Sequence, residues 1–205
     1  KVRFEHKAVR AQSTQRALRR KELRRFAASP NYMLNCGLGI VMLPAAGIAL
    51  LIKGRALAQL LDEAFGAGAD IVPVLLSAAL CLLASMNDMA APSVSLEGRQ
   101  LWLAQSLPVT PWQVLKAKLS MQIILTAVPM ALCIVCAAAV YPFLPVQLLM
   151  MTLLVMSYVV LMALFGLFLG VKNPILTWTN EISPIKHVLL SAHRSGRTYP
   201  VCAQL

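Results

Sequence analysis

Charge is scarce in this sequence, and acidic charge is scarcest. Only 13% of its 205 residues are charged, and eight of those are Asp or Glu. A soluble domain is about one quarter charged and about half apolar; here the apolar share is 59%. That shift has the direction expected when lipid, not water, is the solvent. Chemistry-bearing patterns are missing too. No loop of the G-x-x-x-x-G-K-[ST] kind occurs, which excludes that phosphate cradle. The three histidines, His6, His187 and His193, lie in the polar flanks, and no carboxylate pair falls inside an apolar run. The expectation is therefore no catalytic residue, no cofactor and no metal site. Five cysteines make no disulfide framework, because Cys36, Cys81, Cys133 and Cys136 fall in apolar runs and Cys202 stands alone near the end. Cys133 and Cys136 have C-x-x-C spacing, but without a histidine nearby they are expected to be small buried or lipid-facing residues.

What is present is long uncharged runs. No charge occurs between Arg25 and Lys53, between Asp70 and Asp88, or over the fifty-three residues between Lys118 and Lys172. A helix crosses the hydrocarbon core with roughly 20 residues. The first two runs hold one span each, near 32–52 and 71–89. The third holds two, near 119–140 and 146–171, separated by the prolines of Tyr141-Pro142-Phe143-Leu144-Pro145. The predicted fold is an all-α membrane bundle of about four transmembrane helices with an amphipathic helix in a connecting loop. Asp88 is expected at a helix end, where a charge costs less than at mid-bilayer. Pro44 and Pro129, inside spans, are candidate flex points or static kinks. Gly37 and Gly39 are expected to allow close helix packing. Leu57, Leu60, Leu61 and Ala64 predict a short helix on the outer leaflet.

Seventeen of the nineteen Lys and Arg residues fall on one side of a four-span arrangement, and only Lys53 and Arg55 on the other. The positive-inside rule then predicts a cytoplasmic location for both termini, in the cytoplasmic (inner) membrane. The chain divides into a basic arm at 1–30, a transmembrane domain at 31–172 and a cytoplasmic tail at 173–205. In the arm, Arg16, Arg19, Arg20, Lys21, Arg24 and Arg25 surround Leu18, Leu23 and Phe26. That mixture predicts a helix lying on anionic lipid, with a solvated arm as the alternative. The net charge of +11 is thus assigned to membrane lipids rather than nucleic acid.

The connection at 91–118 carries the clearest local signals. Ser95 can cap a short helix, with Leu101, Trp102, Ala104 and Leu107 on its apolar face and Glu97, Arg99 and Gln105 on its polar one. Pro108 ends it. Thr110-Pro111 is a cap and first turn for another helix running into the third span. The short helix suits a docking lever for a partner; equally it suits a helix floating on lipid.

The stretches Ser95–Val109 and Val114–Leu119 resemble the membrane subunits of bacterial ATP-binding-cassette exporters, the type-2 permease family. Arg20–Asn35 and Asn173–Lys186 are similar to one exporter branch of it. The resemblance implies a permease subunit that forms part of a translocation pathway and hydrolyses no ATP itself. It implies a separate ATPase subunit as partner, and a homodimer or second permease subunit to complete the pathway. It also implies that Glu97–Leu107 is a coupling helix touching the ATPase through Glu97, Arg99, Leu101, Trp102 and Leu107. Such permeases commonly have six or more spans, so a chain of four is expected to be a fragment, with 187–205 off the family pattern. The runner-up function is a membrane anchoring or assembly protein, and a membrane-embedded enzyme ranks third.

Overall fold

The structure is a computed structural model that describes residues 13–65, 71–97, 106 and 108–172. All regular structure among them is helical: α1 Thr14–Ala28, α2 Pro30–Cys36, α3 Leu38–Phe65, α4 Ile71–Ser85, α5 Ala90–Ser95, α6 Pro111–Val140 and α7 Pro145–Lys172. Four stretches are long and apolar enough to cross a membrane: Leu38–Leu57, Ile71–Ser95, Pro111–Val140 and Pro145–Lys172.

Local chemistry sets most of the boundaries. Pro30 disfavours helix at the residue before it, so α1 stops and Ser29 adopts an extended conformation. The Ser29 hydroxyl then accepts from the Tyr32 N–H at 3.3 Å, and Pro30 opens α2. Thr110 starts α6 with a reciprocal cap: its hydroxyl accepts from the Gln113 N–H, and the Gln113 side chain accepts from the Thr110 N–H at 3.1 Å. That satisfies backbone donors a helix start leaves open. Pro44 lies inside α3 and Pro129 inside α6.

Three boundaries differ from the sequence reading. The first apolar helix begins at Leu38, not near Tyr32, because α2 ends at Gly37. The same helix continues unbroken to Phe65. The helix expected on the outer leaflet around Leu57–Ala64 is thus the end of α3, whose Ala, Leu and Gln residues favour helix. The second span is interrupted. Helix α4 ends at Ser85, residues 86–89 are not helical, and α5 follows.

That interruption frees backbone groups inside the bundle, where no water can satisfy them. Gln122 of α6 supplies the partners. Its side-chain oxygen accepts from the N–H of Met89 at 2.7 Å and of Ala90 at 3.0 Å, and its amide donates to the Asn87 carbonyl. The Tyr32 hydroxyl donates to the Met89 carbonyl at 2.6 Å.

The most extensive packing is between α3 and α6, then between α5 and α7, with α1 on α6, α4 on α7 and α6 on α7 next. Helices in lipid associate by close packing rather than by expelling water. Accordingly, a Cβ on Gly39 would lie 2.7 Å from the Asn87 side-chain oxygen, so a larger residue there would have to displace Asn87 at the interruption. Gly47 faces the thiols of Cys133 and Cys136, and the Cys133 thiol donates to the Leu43 carbonyl at 2.8 Å. The C-x-x-C pair is thus helix-packing material.

Two apolar clusters result. One lies along the spans and joins Leu43, Leu80, Met130, Cys133, Met151 and Val155. The other joins Phe26, Tyr32, Cys36, Met89, Leu96 and Met121, with Phe26 and Tyr32 edge to face at 5.1 Å. It binds α1 and α2 to the end of the bundle where α3 and α6 begin. The outer surface stays apolar, with Val41, Ile52, Val128, Val135 and Leu161 all well exposed.

Candidate functional site

Helix α1 reaches the bundle with Leu18, Glu22 and Phe26 on its buried face, a spacing of four that makes one stripe. A glutamate in that stripe demands a partner, since a buried lone charge costs far more than a buried pair. Lys118 of α6 is the partner. Its ammonium lies 3.2 Å from Glu22 and 3.3 Å from Glu97, with its side chain 1% exposed. It also donates to the Ser93 carbonyl at 3.0 Å. One ammonium thus uses its three donors to join α1, the end of α5 and α6.

Glu97 is the second centre. Its other oxygen lies 3.3 Å from Lys21 and 3.9 Å from Arg25, and Arg25 donates to the Leu96 carbonyl. The Gln15 side chain adds a bond to the Gln113 carbonyl at 3.2 Å. The two carboxyls respond differently. Burial pushes Glu22 above the usual carboxylate range, and Lys118 only partly offsets it. Burial acts on Glu97 in the same sense, but Lys118, then Lys21 and the contact with Glu22, outweigh it and hold Glu97 below that range. Cations close to a carboxylate favour its charged form. Glu97 is accordingly the carboxyl held more firmly in its charged form, with three cations around it.

Glu97 was expected on the polar rim of the connecting helix. It is instead buried, because the turn after α5 aims it at Lys118. Arg99, Leu101, Trp102 and Leu107 lie outside the described residues. The arm's six cations divide. Lys21 and Arg25 face Glu97, Arg19 is half-buried with a bond to the Gln15 carbonyl, and Arg16, Arg20 and Arg24 are exposed along one stripe. Leu18 and Phe26, expected among lipids, are buried against the protein, whereas Leu23 is 46% exposed. Trp112, in the first turn of α6, is 70% exposed, as an aromatic at a membrane interface would be.

The sequence reading missed the roles of Glu22, Lys118 and Gln122. Each carries a local signal: a Glu in the buried stripe of a basic helix, and a Lys and a Gln one turn apart where α6 enters its apolar run.

The arrangement links elements that lie far apart in the sequence. Glu97 begins the loop between the second and third spans, and an ionic hub ties that root to α1 and α6. A displacement of the loop therefore reaches a spanning helix through charge contacts in a low-dielectric interior. Among the described residues no cluster of His, Cys, Asp and Glu is suited to hold a metal ion.

Comparison with known proteins adds one finding. The model of a family described as "Putative ATP-binding cassette" matches residues 11–185. No curated protein and no solved structure matches the chain.

Proposed function

Because this chain belongs to the ATP-binding-cassette family matched over residues 11–185, we propose that it is the membrane permease part of an exporter. A separate ATPase subunit then hydrolyses the ATP. The observation that carries this reading is the root of the 97–110 loop. Glu97, Lys118 and Glu22 fasten it to α6 and α1, as a lever moved by a partner requires. The family description names ATP binding, yet a phosphate cradle needs a glycine-rich loop between strand and helix. The described residues hold four apolar spanning helices and no strand. These features favour the membrane role over the nucleotide site. ATP-driven closure of the ATPase would push the loop and tilt the spans attached to it.

In this reading Arg99, Leu101, Trp102 and Leu107 meet the ATPase, and Glu97 positions the segment that carries them from within. Both termini and the 97–110 loop lie in the cytoplasm, following the basic residues. A second permease copy or a different permease subunit completes the pathway.

The test is Trp102→Ala in the full-length permease, compared with Arg99→Ala and wild type at equal membrane level. Tryptophan anchors at interfaces commonly cost about 2 kcal/mol or more on truncation. Trp102→Ala should lose ATPase recovery in mild detergent and uncouple hydrolysis from export, with Arg99→Ala showing a smaller loss. Unchanged recovery and stimulation in both variants would remove the docking role.

The exposed stripe Arg16, Arg20 and Arg24 is the part of the arm free to meet anionic headgroups. A basic residue near such a surface contributes about 1 kcal/mol. A peptide of residues 13–29 with all three changed to Gln should bind phosphatidylglycerol vesicles roughly tenfold or more weakly than the parent. Equal binding of both peptides to neutral and anionic vesicles would mean a solvated arm.

A further inference from the structure

At the end of the bundle away from α1, helices α3, α4 and α6 do not close on one another. They leave a cavity of about 380 Å³. Small residues make the room: Gly54 on α3, Ala79 on α4 and Ala137 on α6 all line it. Leu57 and Leu76 form further wall, as does Phe143 in the connection after α6. Tyr141 is the one lining residue with a polar side-chain atom.

A cavity of this kind is not a water site, since a buried water needs two to four polar partners. Left empty, its walls would forfeit dispersion contacts that neighbouring atoms could supply. The surrounding phase supplies them. Leu57 and Ala79 are exposed on the outside of the bundle, where spanning helices meet hydrocarbon. An unbranched chain from that phase brings no hydrogen-bonding group that the walls would leave unsatisfied. The lining comes from the second half of the Leu38–Leu57 span, the last turn of α6 and the first half of α4. That is the leaflet opposite the basic arm. Tyr141 stands just past the end of α6, where an amphipathic ring meets headgroups.

We propose that this cavity holds one acyl chain of a bilayer phospholipid from the leaflet opposite the basic arm. The proposal goes beyond the permease reading and does not depend on it, because it concerns binding and not transport.

The experiment places the full-length protein in nanodiscs of phosphatidylethanolamine and phosphatidylglycerol containing a phospholipid with a diazirine near its acyl terminus. One sample is illuminated in the nanodisc and another only after exchange into lipid-free detergent, and the adducts are mapped. Peptides around Ala79 and Ala137 should be labelled in both samples, whereas those at lipid-facing Val128 should be labelled only in the nanodisc. Ala79→Trp, which fills the cavity, should abolish the adducts formed in detergent and leave the Val128 adducts in the bilayer unchanged. Should Ala79→Trp fail to insert, Leu57→Trp at the exposed mouth should give the same loss. Three results overturn the proposal. One is retention around Ala79 no greater than at Val128, which means bulk lipid only. Another is retention insensitive to the tryptophan variants. The last is protection of the cavity peptides by a second copy of the chain, seen as disulfide crosslinks between copies carrying Leu57→Cys.

Discussion

Lys118→Met should destabilise the chain by about 3–5 kcal/mol at neutral pH, the usual cost of leaving a buried partner unpaired. The variant keeps the length and apolar stem of lysine but removes the ammonium that Glu22 and Glu97 share. The pH dependence should change as well. In the wild type the two carboxyls oppose each other. Glu97, held below its ordinary 4.5, adds stability that is present above that value and lost as pH falls through its lower folded value. Glu22, pushed above 4.5, subtracts stability at neutral pH, and that cost is relieved as pH falls through its raised value towards 4.5. Their slopes have opposite sign. Without Lys118 the largest cationic influence on both carboxyls is gone, so both shift upward, and the variant's stability should fall less, or rise more, than the wild type's as the pH drops from neutral towards 4.5. Thermal unfolding of the detergent-solubilised full-length protein reads both effects. Equal melting of variant and wild type at neutral pH would mean that the ionic hub holds nothing.

A comparable loss is expected for Gln122→Leu. That side chain satisfies two backbone N–H groups and one carbonyl at the interruption of the second span. Each buried group left unpaired costs about 1–3 kcal/mol, so the variant should lose roughly 3 kcal/mol or more. Gln122→Glu keeps the acceptor for Met89 and Ala90 but loses the donor to Asn87, and should fall between. The order wild type, Glu, Leu in unfolding temperature is the result to look for. If Leu melts with the wild type, the backbone at 86–89 has other partners.

The spanning helices were legible because lipid punishes charge. Lys53, Asp70, Lys118 and Lys172 punctuate the sequence where helices approach the ends of their apolar stretches. The cap at Thr110 and Pro111 was legible because capping is local chemistry within four residues. The interruption after Ser85 was half legible. Asn87 and Asp88 marked a polar spot in an apolar run, but nothing nearby in sequence identified Gln122 and Tyr32 as the partners that make a break there affordable. The candidate site was the least legible part. Lys21 and Glu97 are 76 residues apart, and the same side chains fit a solvated arm and a polar helix rim. Only the stripe of Leu18, Glu22 and Phe26 hinted that α1 turns a carboxylate inward. The division of the basic arm follows from this packing: once that stripe faces the bundle, Lys21 and Arg25 flank Glu97, and Arg16, Arg20 and Arg24 point away.

The central claim is that this chain is moved by ATP hydrolysis carried out in another subunit. Photolabelling with an azido analogue of ATP tests it most directly. The full-length protein is purified alone, and in mild detergent together with any ATPase that accompanies it. The account predicts that the purified chain takes up no label that excess ATP can compete away, while a co-purifying ATPase is labelled competitively. Competitive labelling of this chain on its own, mapped to a peptide within residues 11–185, would contradict it.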